Sequence, residues 1–251
     1  MNNEELVRYS RHMMLPNFDY DRQYKLTQSR ALIIGAGGLG SPVAMYMASS
    51  GVGHIVLSDF DVVELHNLQR QILHGNNDVG RPKVDSAREK LESLNSEIKI
   101  TTYNEKLNEE QLREEVRLAD VVLETTDNFD SRFLLNRICV EEKTPLVSGS
   151  AIRFEGQVTT FRPDIGTGPC YRCLYKESDD AAASHWETCA ASGVLAPVVG
   201  VIGSMQVIEA IKVLTDLGQD LSGRLLIFDG IYMEWREMKL KKKPDCPVCS
   251  K

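Results

Sequence analysis

Short apolar runs alternate with amphipathic stretches throughout the first 149 residues. The apolar runs predict strands at 30–34, 54–58, 98–102, 120–124 and 145–148. Helical spacing of apolar residues, with polar capping residues at several starts, predicts helices at 3–13, 19–28, 42–50, 83–94, 108–117 and 131–141. This alternation is typical of a doubly wound, mostly parallel sheet, in which ligands bind beyond the carboxyl ends of the strands.

The pattern changes after residue 149. Alternating apolar and polar positions predict strands at 151–161, 224–230 and 232–240, which would extend the sheet with antiparallel strands. An apolar helix is predicted at about 199–217, and the small polar residues of 176–189 predict a surface loop. The predicted fold class is α/β, a Rossmann-like, doubly wound, mostly parallel sheet extended by antiparallel strands. We expect one domain, 1–251, with a first half at 1–149 and a second half at 150–251.

Composition narrows the range of functions. A chain of 251 residues with 42% hydrophobic content can bury a substantial core, and its net charge of −7 argues against nucleic acid as a partner. The N-terminal segment lacks the apolar core of a signal peptide, and no stretch is expected to approach the roughly 18 apolar residues of a membrane span. We therefore expect a cytoplasmic protein without membrane contact, whose six cysteines are metal ligands or catalytic thiols rather than disulfides.

A glycine-rich turn follows the first predicted strand. Gly35, Gly37 and Gly40 have the spacing G-x-G-x-x-G and precede a helix, so that the backbone can approach a phosphate closely. The motif alone is weak, but Asp59 follows the second strand at about the interval of a ribose-binding carboxylate. Nucleotide binding is favoured over a merely structural turn. Asp59 and Asp61 could also be a solvated strand end, and the identity of the nucleotide stays open at this point.

Charged residues near the other strand ends favour phosphate chemistry over hydride transfer. Arg70 and Lys83 lie after the second strand, where fixed cations could stabilise charge that develops at an α-phosphate. Asp127 follows the fourth strand, and a carboxylate there could hold Mg²⁺. The alternatives are ordinary surface cations for Arg70 and Lys83, and a turn or helix cap for Asp127.

Two C-x-x-C pairs form the most specific motif in the chain. Cys170, Cys173, Cys246 and Cys249 could present four thiolates tetrahedrally to one Zn²⁺. Four protein ligands leave no open position, so the predicted metal is structural and connects the C-terminal tail to the middle of the chain. The alternative, two redox-active dithiols, lacks a thioredoxin-like unit around either pair.

The motifs occur together in one order along nearly the whole chain. They are RYSRH at 8–12, GAGGLGS at 35–41, NLQRQ at 67–71, RPK at 81–83, TTDN at 125–128 and both cysteine pairs. In this combination the chain resembles the HesA/MoeB/ThiF family, whose members are similar to the adenylation half of ubiquitin-activating enzymes. The stretches SGSAIRFEGQVT, APVVGVIGSMQVIEAIK and WREMKL favour the molybdopterin branch over the thiamine branch.

The resemblance implies an activity. It is ATP-dependent adenylation of the C-terminal Gly-Gly carboxylate of a ubiquitin-like sulfur-carrier protein, with release of pyrophosphate before thiocarboxylate formation. The implied cofactors are ATP, Mg²⁺ and Zn²⁺, and sulfur would come from a separate sulfurtransferase or cysteine desulfurase. Residues 1–149 would be the nucleotide-binding half, and residues 150–251 would bind the carrier and the zinc ion.

The resemblance also implies roles for individual residues. The nucleotide and Mg²⁺ contacts would be Gly38, Asp59, Asp61, His66, Asn67, Leu68, Gln69, Arg70, Lys83, Asp127 and Asn128. Of these, Arg70, Lys83 and Asp127 would act in catalysis. Arg11 would reach the ATP site of the neighbouring subunit, which implies a homodimer. Cys189 matches the position of a thioester-forming or persulfide-accepting cysteine, with a small loop or interface residue as the alternative.

Other functions remain open from the sequence. Within the enzyme class, the substrate could be a thiamine-pathway sulfur carrier or another peptide C-terminus. The glycine motif and Asp59 would also serve an NAD-dependent oxidoreductase. A nucleotide-binding scaffold without activity is the third alternative, although Arg11, Arg70, Lys83 and Asp127 are all present.

Overall fold

The described residues form one eight-stranded mixed sheet. A computed structural model describes residues 1–176 and 192–250. The strands are β1 (Arg30–Ile34), β2 (His54–Ser58), β3 (Lys99–Tyr103), β4 (Val121–Glu124), β5 (Leu146–Ile152), β6 (Glu155–Phe161), β7 (Arg224–Asp229) and β8 (Glu234–Lys239). Their order is β3-β2-β1-β4-β5-β6-β7-β8. The pairs from β3 to β5 are parallel and those from β5 to β8 are antiparallel, which confirms the predicted fold class.

Helices cover both faces of the sheet. Within the described residues they are α1 (Asn3–Arg8), α2 (Ser10–Met13), α3 (Tyr20–Gln28), α4 (Gly40–Ser49), α5 (Lys83–Leu94), α6 (Glu109–Leu118), α7 (Phe129–Glu142), α8 (Tyr171–Leu174) and α9 (Ala196–Thr215). Apolar residues of α3, α4, α5 and α9 share one core cluster with the sheet. Residues of α6, α7 and α8 form a second cluster, which includes the buried Cys139, so this cysteine is a core residue and not a metal ligand or an accessible thiol. This two-sided covering explains why the central parallel strands β1, β2 and β4 are mostly apolar.

Two predicted elements differ from the structure. The single helix predicted at 3–13 is interrupted at Tyr9, whose buried side chain accepts a hydrogen bond from Asn95 Nδ2 at 2.8 Å. The segment 151–161, predicted as one strand, begins inside β5 and reverses direction at Arg153, which has a φ of +53°. Tyr9 contacts Asn95, and the Arg153 backbone is hydrogen-bonded to Gly193 and Leu195. Hydrophobic periodicity does not detect such long-range contacts.

Helix α9 contradicts the expectation that no stretch approaches a membrane span. This helix, Ala196–Thr215, is long and apolar enough to cross a bilayer by length and composition alone. It is nevertheless a core helix, because most of it is buried inside the fold. The buried Glu209 accepts hydrogen bonds from Thr160 Oγ1 at 3.0 Å and from Leu221 N at 2.6 Å. A helix surrounded by the rest of its own chain has apolar residues on all sides for that reason.

A close approach of α9 to the first turn of α4 brings these two helices together beside the glycine-rich turn. A Cβ atom at Gly203 would lie 2.5 Å from Pro42 Cγ and 2.8 Å from the Leu39 carbonyl oxygen. The second of these atoms belongs to the backbone and cannot move without shifting the loop that precedes α4. The glycine therefore sets the distance between the two helices.

We expect Gly203→Ala to destabilise the protein by about 1 to 3 kcal/mol, because the added methyl group forces α9 away from Leu39. Gly200→Ala is the matched control, since a Cβ at Gly200 on the same helix meets no atom within 4 Å. That control should be neutral or stabilising by up to about 1 kcal/mol through helix propensity. Denaturant unfolding measures both values, and equal effects of the two substitutions would contradict the close-contact argument.

Candidate nucleotide site and metal centre

The glycine-rich turn is held tightly between the ends of β1 and β4. Gly35 has a φ of +104°, which favours glycine. A Cβ atom at Gly40 would lie only 2.0 Å from the Gly35 carbonyl oxygen. The Thr125 hydroxyl, just after β4, is 2.7 Å from the Ile34 carbonyl oxygen and 2.8 Å from that of Gly35. The turn is therefore a rigid feature that exposes backbone N–H groups at the start of α4.

Asp59 connects this turn to the end of β2. Its Oδ2 accepts a hydrogen bond from Ala36 N at 2.7 Å, and its Oδ1 accepts one from Asp61 N at 2.8 Å. The carboxylate is therefore an ordered part of the site rather than a freely solvated strand end. Both of its oxygens are held by backbone donors, which fixes the orientation in which it faces the neighbouring space.

A cavity of about 600 Å³ lies beyond the carboxyl ends of β1, β2, β4 and β5. This is where a doubly wound sheet binds ligands, and the volume suits a nucleotide with part of a second substrate. The site residues predicted from the sequence that line it are Gly38, Asp59, Asp61, Arg70, Lys83, Asp127 and Asn128. The fold therefore brings together residues that are up to 90 positions apart in the sequence.

The two predicted cations differ in their surroundings. Lys83 Nζ lies 2.8 Å from Asp61 Oδ2, and the Lys83 side chain is only 6% exposed. Arg70 donates a hydrogen bond from Nη1 to the His66 carbonyl oxygen at 3.2 Å. A buried lysine is unusual, and here the Lys83 ammonium group is paired with the Asp61 carboxylate at the cavity.

Asn128, and not Asp127, is the cap of helix α7. Asn128 Oδ1 accepts a hydrogen bond from Ser131 N at 2.9 Å. Asp127 is the residue before the cap, and its exposed carboxylate lies at the cavity. The helix-cap alternative for Asp127 is therefore wrong, and this carboxylate is available to a ligand.

The structure places five other predicted site residues elsewhere. His66, Asn67, Leu68 and Gln69 do not line the cavity. Asn67 Oδ1 accepts a hydrogen bond from Glu64 N at 3.1 Å, which stabilises its own turn, and His66 Nδ1 lies 3.0 Å from Glu64 Oε2. Arg11 is exposed on α2 and lies outside the cavity. The nucleotide contacts predicted for these residues stay predictions, and Cys189 lies outside the described residues.

A buried ion pair at the cavity wall was not found by sequence reasoning. Arg132 Nε is 3.4 Å from Glu124 Oε1, and the two side chains are 11% and 1% exposed. Burial opposes the charge of Arg132, but Glu124, Tyr171 and Tyr175 together outweigh this effect and raise the pKa of the guanidinium group. Arg132 Nη2 also donates a hydrogen bond to the Thr126 carbonyl oxygen at 2.6 Å. The pair therefore holds the backbone next to Asp127.

Glu124, at the end of β4, forms the other half of a clamp, by which we mean the Glu124–Arg132 pair and its hydrogen bonds to Thr126. Its Oε1 accepts hydrogen bonds from Thr126 N at 2.7 Å and Thr126 Oγ1 at 2.6 Å, and its Oε2 accepts one from Ser148 Oγ at 2.9 Å. Gln206 of α9 donates from Nε2 to the Glu124 carbonyl oxygen at 2.8 Å. The sequence offers one sign of this ion pair, which is Glu124 at the end of an otherwise apolar strand. A buried carboxylate requires hydrogen-bond partners or an opposite charge.

His74 is a second residue that the sequence did not reveal. It is buried, with Nε2 3.1 Å from the Ala36 carbonyl oxygen and Nδ1 3.0 Å from Ser86 Oγ. A carbonyl oxygen can only accept, so Nε2 carries the proton. Burial lowers the pKa of His74, which keeps the ring neutral at pH 7. The ring therefore joins the glycine-rich turn to α5, the helix that begins at Lys83.

The four paired cysteines form a cluster. Their Sγ atoms all lie within 4.8 Å of one another, and the Cys170–Cys246 and Cys173–Cys249 sulfur pairs are 3.7 Å and 3.5 Å apart. Tetrahedral zinc with Zn–S bonds of about 2.3 Å requires sulfurs about 3.8 Å apart. These close pairs connect one C-x-x-C motif to the other and are much longer than the roughly 2.05 Å of a disulfide bond. The donor set and its spacing therefore fit a structural Zn²⁺ ion.

Comparison with known proteins identifies the family. The model of the ThiF family matches residues 9–248. The chain belongs to the ThiF family. This ThiF-family protein is 47% identical to the molybdopterin-synthase adenylyltransferase of Escherichia coli over 249 residues, which cover 99% of the chain and 98% of that enzyme. The resemblance predicted from the motifs is thus confirmed.

Other relatives of this ThiF-family protein are longer. The chain is 46% identical to the adenylyltransferase and sulfurtransferase MOCS3 of Culex quinquefasciatus, of which it spans 56%. It is 42% identical to the SAMP-activating enzyme E1 of Haloferax volcanii, and the match covers 98% of the chain and 89% of that enzyme.

Solved structures agree with the fold of this ThiF-family protein. The crystal structure of E. coli MccB with ATP has a TM-score of 0.86 at 26% identity, and the match covers 99% of the chain and 75% of MccB. PaaA, at 24% identity and a TM-score of 0.81, shares the fold.

We expect Arg132→Met to lower the free energy of unfolding by about 3 to 5 kcal/mol, because Glu124 would be left charged, buried and without its partner. Arg137→Met is the control on the same helix. Arg137 is 38% exposed and pairs with Glu109, so its loss should cost about 1 kcal/mol or less. Denaturant unfolding measures both, and the double variant Glu124→Gln/Arg132→Met should recover part of the loss. Equal costs for Arg132→Met and Arg137→Met would contradict the inferred clamp.

Proposed function

We propose that this protein uses ATP to adenylate the C-terminal Gly-Gly carboxylate of a ubiquitin-like sulfur-carrier protein, with the small subunit of molybdopterin synthase as the favoured substrate. The supporting observation is that one cavity of this ThiF-family chain is lined by the glycine-rich turn, Lys83, Arg70 and Asp127. The names of the relatives confirm the predicted adenylyltransferase class. The similarity to the E. coli enzyme over nearly the full length of both chains supports the molybdopterin branch.

The chain's own groups supply a phosphate site. The backbone N–H groups of the glycine-rich turn and the positive end of the α4 dipole would bind the nucleotide phosphates. Asp59 is oriented by Ala36 N and Asp61 N and would accept hydrogen bonds from the ribose. Lys83 and Arg70 would neutralise charge at the oxygens of the α-phosphate and of the leaving pyrophosphate.

Asp127 fits a role in magnesium binding. Its carboxylate lies at the cavity, and the clamp formed by Glu124 and Arg132 fixes the backbone beside it. Bound Mg²⁺ would neutralise phosphate charge and favour departure of pyrophosphate. Because Asn128 caps α7, the Asp127 side chain is not needed to stabilise the fold at this point.

The reaction requires no general base. A peptide C-terminal carboxylate is ionised near neutral pH, and one of its oxygens attacks the α-phosphorus. The bond between the α-phosphorus and its bridging oxygen breaks as the acyl-adenylate forms, and pyrophosphate leaves. Catalysis then depends on alignment and on fixed positive charge, which agrees with a cavity whose described lining contains cations and no histidine.

Sulfur transfer is proposed to involve a second protein. The described residues that line the cavity include no cysteine, so a persulfide from a separate sulfurtransferase or cysteine desulfurase would attack the acyl-adenylate. Cys189 remains proposed as a site that accepts sulfur or forms a covalent intermediate.

We also propose a cytoplasmic homodimer in which Arg11 reaches the partner's ATP site, since Arg11 is exposed and lies outside its own cavity.

We expect purified, zinc-loaded protein to exchange ³²P-labelled pyrophosphate into ATP only with Mg²⁺ and one intact carrier. Carriers of the molybdopterin and thiamine pathways are tested separately, each with a matched variant that lacks the terminal glycine. Exchange with the thiamine carrier alone would replace the favoured substrate. No exchange with any carrier would contradict carrier activation, and reduction of NAD by the protein would favour an oxidoreductase.

Lys83→Gln should lower the exchange rate by about 100- to 1,000-fold, the usual effect of removing one group that stabilises transition-state charge. Lys90→Gln is the control, because Lys90 is exposed on the same helix and lies outside the cavity. Initial rates at saturating ATP separate this effect from weaker binding. Similar rates for the two variants would remove Lys83 from the proposed machinery.

Subunit mixing tests the role of Arg11. Arg11→Ala and Lys83→Gln should each be nearly inactive alone, and unfolding and reassembly of a mixture should restore exchange activity. Restoration is expected because some mixed dimers combine one intact Lys83 cavity with an intact Arg11 from the partner. A mixture as inactive as its components, at a confirmed dimer mass, would contradict a shared site.

A further inference from the structure

A metal centre of four thiolates must be stabilised by hydrogen-bond donors. Four thiolates and one divalent cation carry a net charge of −2, and Cys170, Cys173 and Cys246 are all less than 10% exposed. Burying this charge away from water is costly unless N–H groups point at the sulfur atoms. The donors around the cluster therefore determine how firmly it can hold a metal.

One backbone donor reaches the cluster from the segment before the C-terminal cysteine pair. Lys243 N donates to Cys173 Sγ at 3.4 Å. This donor serves the Cys173 sulfur, so the Cys170 side of the cluster needs another donor.

Asn136 of helix α7 lies on the Cys170 side. Its side chain is only 1% exposed, and its Oδ1 accepts a hydrogen bond from Tyr171 N at 2.8 Å, which places the amide beside Cys170. Val140, one helical turn further along α7, packs against the cysteine cluster. The same face of α7 therefore carries both residues toward the cluster.

The Nδ2 group of Asn136 has no hydrogen-bond partner of ordinary geometry among the described residues, although it is fully buried. A buried, unpaired amide donor costs about 1 to 3 kcal/mol, so its position requires an explanation. The bond from Tyr171 N holds this amide beside the residue that follows Cys170, and Cys170 is itself buried. The unpaired donor therefore lies on the Cys170 side of the cluster.

We propose that Asn136 is a positioning residue of the metal centre, which donates its Nδ2–H to the Cys170 thiolate when zinc is bound. The inference rests on the proposed zinc site. Asn136 does not bind the ion itself. Its Nδ2–H would donate to the Cys170 sulfur, and its Oδ1 accepts from the Tyr171 backbone N–H. Asn136 would thereby fix the first C-x-x-C motif without contacting the metal.

This contact links the metal centre to the nucleotide cavity through one rigid helix. Arg132 lies one turn before Asn136 on α7 and holds the Thr126 carbonyl oxygen beside Asp127. Tyr171 also packs against Phe133 of the same helix, with ring centroids 5.4 Å apart. Loss of the metal should therefore loosen the packing that supports α7 and weaken nucleotide binding at its N-terminal end.

The test compares zinc release from the full-length wild type and three variants. Asn136→Leu removes both amide functions, whereas Asn136→Asp keeps an acceptor for Tyr171 N. The release is followed with a chromogenic chelator at about pH 9, far above the usual carboxyl pKa, so that the introduced acid cannot donate. Asn95→Leu is the control, because Asn95 is fully buried and donates to Tyr9 Oη and the Ala48 carbonyl oxygen instead.

Both Asn136 variants should release zinc about 10- to 100-fold faster than the wild type, while Asn95→Leu should not. In the cobalt-substituted protein, both should also shift the thiolate-to-metal charge-transfer band, which a purely structural defect elsewhere would not move. If Asn136→Asp releases zinc at the wild-type rate, the faster release from Asn136→Leu results from the lost bond to Tyr171 N. That result would overturn the donor role. Wild-type release from both variants would overturn the whole proposal.

The failure of the underlying assignment has a different result. If the wild-type protein binds no stoichiometric zinc, the proposed metal centre is wrong and the role of Asn136 is overturned with it. If the wild type holds one zinc ion per chain but fails in pyrophosphate exchange with all carriers, the adenylation proposal is contradicted while the Asn136 comparison stays interpretable.

Discussion

The contact between the glycine-rich turn and the end of strand β4 is the constraint on which the site depends. Gly35, Gly40 and Thr125 leave no space for a side chain on either glycine, so the backbone of two strand ends meets directly. That contact sets the start of α4 and the exit of β4 at the same edge of the sheet. Asp59, just after β2, and His74, which also contacts Ser86 of α5, then bind the backbone of Ala36, and the turn is held from three sides.

The surroundings of each charged side chain at the cavity, and not only its distance from the cavity, determine what it can contact. Lys83 and Arg132 are both buried cations, but they have different surroundings and different consequences. Lys83 lines the cavity opposite Asp61, where a phosphate could compete for it. Arg132 is enclosed with Glu124 and holds backbone carbonyl oxygens, which gives the loop at Asp127 a defined position. Both cations line the cavity, but the Arg132 guanidinium group is bound to Glu124 and to the backbone, whereas Lys83 is paired with the half-exposed Asp61.

Helix α7 joins features that look independent in the sequence. Its N-terminal cap, Asn128, belongs to the TTDN motif, its first turn carries Arg132, and its middle carries Asn136 beside the cysteine cluster. The cysteine cluster and the cavity thus share a structural element. A metal bound far from the cavity would still affect the cavity, because the single helix α7 packs against both sites.

The sequence by itself determined the fold class, the glycine-rich turn and the four cysteines that could hold a metal ion. Each of these rests on spacing within a short segment, where hydrophobic periodicity, chain flexibility or ligand geometry restricts the possibilities. The break at Tyr9, the reversal at Arg153 and the burial of α9 were decided by contacts elsewhere in the chain.

Only the tertiary structure decided which polar residues support the site. Glu124 with Arg132, His74 with Ala36, and Asn136 with Tyr171 pair residues from different elements of the fold. The NLQRQ segment makes the same point, because its motif is plain in the sequence while only some of its side chains line the cavity. A local pattern specifies the direction of the backbone, but the partner of a buried polar group is chosen by how distant elements pack.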